Sequence, residues 1–131
     1  MAAYNTTYKN NEPITGILEQ LGCNPEHIDN IGYIFQYSGY EGLYIPQKTG
    51  TDVIRFAFPK LARVDQDSKD LLMEYINMAN LMVKESKFTI MGNEVWLIFE
   101  RFISDNEDYP TITVHILENL KSGTELFHSF S

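Results

Sequence analysis

The stretch DSKDLLMEYINMANLMVKESKFTIMGNEVWLIFERF, residues 67–102, decides the fold, because it runs one long amphipathic helix straight into a tight β-hairpin. The spacing predicts a helix from Ser68 to about Glu85, a strand over Lys87-Phe88-Thr89-Ile90, a turn at Gly92-Asn93 and a second strand from Glu94 to Phe102. Leu72, Tyr75, Ile76, Ala79 and Val83 trace one helix face, the repeat expected of a core-facing stripe. Leu71, Met78 and Met82 continue onto a second apolar flank, so the stripe is wider than one sheet contact requires. Asp67 or Ser68 can cap the helix by accepting from its orphan amides. About eighteen residues at 1.5 Å each make a rod of roughly 27 Å, long enough to cross a whole sheet. Asn77 and Asn80 lie at its apolar margin, where Asn lowers helix propensity unless its amide finds a partner, and a tie to neighbouring backbone is expected. In the hairpin, Gly92 supplies the positive φ of a tight turn. Val95, Leu97 and Phe99 alternate with Trp96, Ile98 and Phe102, and two apolar faces predict a central strand.

Upstream of this unit the period changes twice. Pro13 suits a first helical turn, and Ile14, Ile17, Leu18 and Leu21 follow at i, i+3, i+4 and i+7, a short helix that Gly22 ends. Cys23 to Asn30 reads as a polar connector. From Ile31 to Leu61 a period of two predicts three strands, carried by Tyr33, Phe35 and Tyr37, then Leu43 and Ile45, then Ile54, Phe56 and Phe58. Ser38-Gly39 with Gly42 divides the first from the second, Thr49 to Asp52 divides the second from the third, and connections this short make neighbours antiparallel. Pro46 and Pro59 lack donors and are expected at strand ends or on an edge. After the hairpin, an acidic loop from Ser104 to Tyr109 precedes a last helix that starts at Pro110 and is interrupted near Ser122-Gly123. The expected fold class is α+β: a five-stranded antiparallel sheet in the order α-β-β-β-α-β-β-α with the helices packed on it.

Composition sets the limits on function. A chain of 131 residues with 44% hydrophobic and 21% charged residues is one globular domain, with enough length to bury roughly two-thirds of its unfolded surface. Residues 1–12 read as a flexible polar leader and 13–131 as a single domain. The net charge of −8 disfavours nucleic acid and anionic membranes, both of which call for clustered Lys and Arg. No run approaches the ~20 apolar residues of a membrane span, and the single cysteine forms no internal disulfide, so the expected location is cytoplasmic.

Reactive constellations are scarce. Phosphate-binding glycine motifs are absent. Asp65, Asp67 and Asp70 resemble the opening of a calcium loop, but Lys69, Asp70 and Ile76 stand where a ligand, the glycine and the bidentate Glu belong. A helix-start cluster accounts for those carboxylates, and Asp105-Asn106-Glu107-Asp108 reads as a solvated loop. Neither a metal nor a cofactor is expected. Of the three histidines, only His27 lies near Cys23 in sequence, four residues away. Tyr33, Tyr37, Tyr40 and Tyr44 crowd the first hairpin; pointing outward they form an aromatic platform for a partner, and pointing inward they line the core.

The order of elements, with Tyr75-Ile76-Asn77-Met78-Ala79-Asn80 followed by Lys87-Phe88-Thr89-Ile90 and Glu94-Val95-Trp96-Leu97, resembles the YbjN-like family, bacterial proteins assigned to sensory-transduction regulation. That family is similar in fold to the type III secretion chaperones. The resemblance spans about Ile14 to Phe130 and implies an acidic, dimer-capable domain that binds a partner chain. It carries no catalytic residue over. The long polar leader and the Tyr-rich hairpin depart from a typical secretion chaperone.

The leading expectation is therefore a non-enzymatic binding or regulatory module that takes a protein or peptide partner. Leu71, Met78 and Met82 are its self-association flank, for a homodimer, and the four tyrosines its partner-binding candidates. The competing readings are a small enzyme using Cys23 with His27, and an acidic immunity-type partner of a basic protein.

Overall fold

Helix α1 (Glu12–Gln20) leads into strands β1 (Glu26–Ile28), β2 (Gly32–Tyr37), β3 (Tyr40–Tyr44) and β4 (Val53–Arg63). Helix α2 (Lys69–Met82), strands β5 (Ser86–Met91) and β6 (Glu94–Phe102), and helix α3 (Tyr109–His128) follow. The computed structural model describes residues 12–46 and 52–130. The strands form one antiparallel sheet in the spatial order β1-β2-β3-β4-β6-β5.

The sheet has six strands, not the expected five. The added one, β1, lies in the segment read as a connector, and pairs Glu26, His27 and Ile28 with Ile34, Tyr33 and Gly32. Three residues are too few to show a period, so its existence depends on the edge that β2 presents. The expected leader over residues 1–12 lies outside the described residues up to residue 11, and so does most of the Thr49 to Asp52 divider.

Register assigns the two faces of the sheet. Tyr33 opposes Tyr44, Tyr44 opposes Phe56, Phe56 opposes Phe99 and Phe99 opposes Ser86, so these side chains share a face. That face is the core: Phe35, Tyr44, Phe56, Phe58, Phe88, Leu97 and Phe99 pack there with Ile14, Leu18, Ile76, Ala79, Ile116, Leu117, Leu120 and Phe127. Each fully buried Phe or Leu contributes about 1.5–3 kcal/mol of transfer free energy. The opposite face carries Ile34, Leu43, Ala57 and Ile98 in one cross-strand row, with the Arg55–Glu100 ion pair beside it.

Packing explains where glycine and proline departed from their sequence reading. Gly42 lies inside β3 and not in the turn, because the Phe35 ring opposite it leaves no room for a side chain: an added Cβ would stand 2.3 Å from Phe35 Cζ. Gly123 does not interrupt α3, which runs unbroken for 20 residues, ~30 Å. There the helix backbone approaches β6 so closely that an added Cβ would meet Leu97 Cδ2 at 2.8 Å. Pro59 lies within an interior strand, at a bulge where β4 spends three residues between the Phe58–Leu97 and Ala62–Val95 pairs.

The roof over the sheet is α3, not the helix between the two sheet segments. Asp108 caps α3 by accepting from Thr111 N (3.3 Å) and Thr111 Oγ1 (2.8 Å), Pro110 opens the first turn, and the helix crosses β4, β6 and β5. Helix α2 is shorter than expected, 14 residues or ~21 Å, and packs at the margin against β5 and α3. Its start is set by Asp65, whose carboxylate accepts from Asp67 N at 3.0 Å and caps a 3₁₀ turn over Gln66–Ser68; Ser68 makes no side-chain cap. Its end comes at Val83, which turns extended. Strand β6 is interior, as expected, between β4 and β5, and of its second face Trp96 and Ile98 are half-buried while Phe102 is exposed.

Candidate functional site

The marginal position of α2 leaves several of its large apolar side chains exposed. Ile76 and Ala79 are buried, and Tyr75 reaches the Phe130 ring, with centroids 6.2 Å apart. The stripe predicted to face inward therefore does so. The sheet proper is covered by α3, and on the second flank of α2 Leu71, Met78 and Met82 remain 50%, 50% and 55% exposed, Met82 at the border with α3. Leu81, 87% exposed, joins them one turn beyond Met78. Sequence reasoning missed Leu81, although its i+3 spacing from Met78 was the available signal.

Asn80 fixes α2 in place. Its Oδ1 accepts from Phe88 N at 2.7 Å and its Nδ2 donates to Phe88 O at 3.1 Å, so one side-chain amide occupies both outward backbone groups of a β5 residue. The expected tie to neighbouring backbone is present at Asn80. The ammonium of Lys87 adds a bond to Asn80 O at 3.4 Å. Asn77, by contrast, is exposed and makes no hydrogen bond among the described residues.

The four tyrosines lie on the helix-covered side of the sheet. Tyr44 is buried, stacked near Tyr33 (6.1 Å) and Phe56 (5.0 Å), and burial holds its phenol well above the usual tyrosine range. Tyr37 opposes Tyr40 in the register, and Tyr40 leans on Phe58 with centroids 5.6 Å apart. All three of Tyr33, Tyr37 and Tyr40 are half-buried against the core. The Tyr37 hydroxyl donates to Glu118 of α3, and burial together with that bond pushes its pKa up to about 12. The first hairpin thus offers its aromatic rings to the core and to cross-strand partners, and no open-face platform is made of them. Alternation alone fixes which residues share a face but not which face the helices cover.

Groups with nucleophilic or metal-binding chemistry stay apart. Cys23 is buried in the core, where desolvation raises its thiol pKa, away from the thiolate that nucleophilic attack needs. His27 is exposed, edge-on to Tyr33 at 5.3 Å and 3.5 Å from Asp29, and no hydrogen bond joins it to Cys23 among the described residues. His115 pairs with Glu85 at 2.8 Å across the α2–β5 connection. In the acidic loop, Glu107 accepts from Ser104 N (2.9 Å) and Arg101 (2.7 Å), which hold its carboxyl below the usual range. Among the described residues, no three His, Cys, Asp or Glu side chains converge as a metal site. No described helix is long and apolar enough to cross a membrane.

No protein-family model matches the sequence, and no curated protein matches it. Solved structures do share its architecture. YbjN from E. coli, a candidate transcription regulator, superposes with a TM-score of 0.64 over 88% of this chain and 86% of its own, at 11% identity. The fold is that of YbjN. An uncharacterized protein from Methanothermobacter thermautotrophicus agrees equally well, with a TM-score of 0.64 over 91% of this chain and 94% of its own at 14% identity. At such identities the likeness to YbjN is one of fold, which the resemblance read from residues 75–97 anticipated.

Proposed function

We propose that this chain is a non-enzymatic regulatory module that acts by protein contact and pairs with a second copy through the outer flank of α2. The observation that carries this reading is the exposure of Leu71, Met78, Leu81 and Met82 on one side of one helix. Exposed apolar side chains gathered in this way are characteristic of interaction surfaces, whereas singly scattered ones are not. The burial of Cys23 and the dispersal of the histidines support the non-enzymatic part. A regulatory role also agrees with the description of YbjN as a candidate transcription regulator.

Sedimentation velocity over a dilution series tests the pairing. The expected result is a concentration-dependent dimer that Met78→Glu with Met82→Glu converts to a monomer, with unchanged secondary structure because both side chains are half-exposed and with a thermal melt that no longer depends on concentration. A strict monomer for the unaltered chain at tens of micromolar overturns the self-pairing.

A further inference from the structure

The sheet is split at one place. Among the described residues the β3–β4 ladder pairs only Tyr44–Phe56 and Leu43–Ala57, with Ile45 N bonded to Arg55 O beyond them, and on the other side both strands continue unpaired with each other. Carrying that register forward sets Glu41 opposite Pro59, and proline has no N–H to return to the Glu41 carbonyl. The next residue, Lys60, takes φ +59°, a left-handed conformation that costs a non-glycine residue roughly 1 kcal/mol and bulges β4 away from β3. The ladder therefore opens into a notch of about 270 Å³, lined by Tyr40, Glu41, Pro59, Lys60, Leu61 and, from the end of α3, His128.

Three properties of the notch bear on its occupant. First, it is bounded by a strand edge left outside the ladder, which is the backbone surface that an extended peptide pairs with. Second, neither the Lys60 ammonium nor the Glu41 carboxylate has an ion pair among the described residues. Third, its volume lies just below the roughly 300 Å³ at which drug-sized ligand sites begin, leaving room for the last residue or two of a chain.

We propose that this notch receives the carboxylate end of an extended polypeptide. The terminal carboxylate meets the Lys60 ammonium, the peptide backbone pairs with the free edge at Glu41, and an apolar last side chain rests on Tyr40 and Leu61. The Glu41 carboxylate on the other wall repels the terminal carboxylate and so keeps it on the Lys60 side. The notch shares no lining residue with the α2 flank, and all of its lining comes from one chain.

The test is an amide-resolved NMR titration of the full chain with a mixture of random pentapeptides, supplied either with free C-termini or amidated. The expected result is shift changes confined to Tyr40, Glu41, Lys60, Leu61 and His128 with the free-acid mixture, weakened about tenfold by amidation, as loss of one charge-assisted bond implies. Lys60→Gly suits the positive φ, so it removes the ammonium without threatening the fold; it is expected to abolish the response while Lys60→Arg retains it. Sodium acetate in place of peptide separates the two contributions: equal binding of acetate shows a bare anion site and overturns the proposal. Equal shifts with amidated peptide, shifts elsewhere, or none at millimolar peptide also overturn it.

Discussion

Two asparagines three residues apart on α2 allow a matched test of what holds that helix to the sheet. Asn80 gives and receives a hydrogen bond with Phe88, at 3.1 and 2.7 Å, in a part-buried setting, whereas Asn77 is exposed. Each intramolecular hydrogen bond contributes about 0.5–1.5 kcal/mol net, so truncating Asn80 removes roughly 1–3 kcal/mol. Alanine returns about 0.6 kcal/mol of helix propensity at either position. Asn80→Ala is thus expected to destabilise by about 1.5 kcal/mol, and Asn77→Ala to stabilise by about 0.6 kcal/mol, a difference of roughly 2 kcal/mol. Urea unfolding followed by the fluorescence of the single tryptophan reads this directly, since Trp96 opposes Thr89 of β5, beside the bonded residue. For a chain of this length the gap between the two variants corresponds to roughly 6–10 °C in Tm. If both alanine variants move stability in the same direction by similar amounts, the claim that Asn80 secures α2 is refuted.

Two further outcomes follow from packing and from titration. Gly123→Ala is expected to destabilise by about 1–3 kcal/mol despite alanine's better helix propensity, because the new methyl meets Leu97 Cδ2 at 2.8 Å in the core; a thermal melt above that of the unaltered chain would contradict the close helix–sheet contact. Tyr37 has its pKa raised to about 12 by burial and by Glu118, and the folded chain therefore holds its proton where the unfolded chain, near pH 10, has lost it. That contribution to stability is complete below pH 10 and disappears as pH rises through 12; denaturant midpoints measured across this window are expected to fall less for Tyr37→Phe than for the unaltered chain.

What could be read in advance depended on how local each cause was. Residues 67–102 carry their own periodicity and turn, and the helix and hairpin appear there nearly as the pattern places them, although the capping carboxylate, Asp65, lies just outside that stretch. Strand β1 exists only because β2 offers it an edge, and Gly42 and Gly123 are defined by a ring across the hairpin and by a leucine on another element, so both looked like punctuation. At the candidate site, Leu71, Met78 and Met82 were legible as a second flank because helical spacing separates faces within a single segment. The tyrosines were not, since which side of a sheet receives α3 is decided by the helix and not by the strand.

The seam between β4 and β6 is the joint at which the two parts of the sheet meet, and it pairs Arg63 with Glu94 and Val53 with Phe102. Everything on the β1 side of it can assemble from near neighbours, as can the β5–β6 hairpin, but the seam must wait for α2 and its connections to close a long loop. Non-local pairing of this kind slows folding. Joining the two parts of the sheet is thus expected to be a slow event of folding, and lengthening the connections of α2 to slow it only weakly, since each doubling of a loop costs about 0.6 kcal/mol.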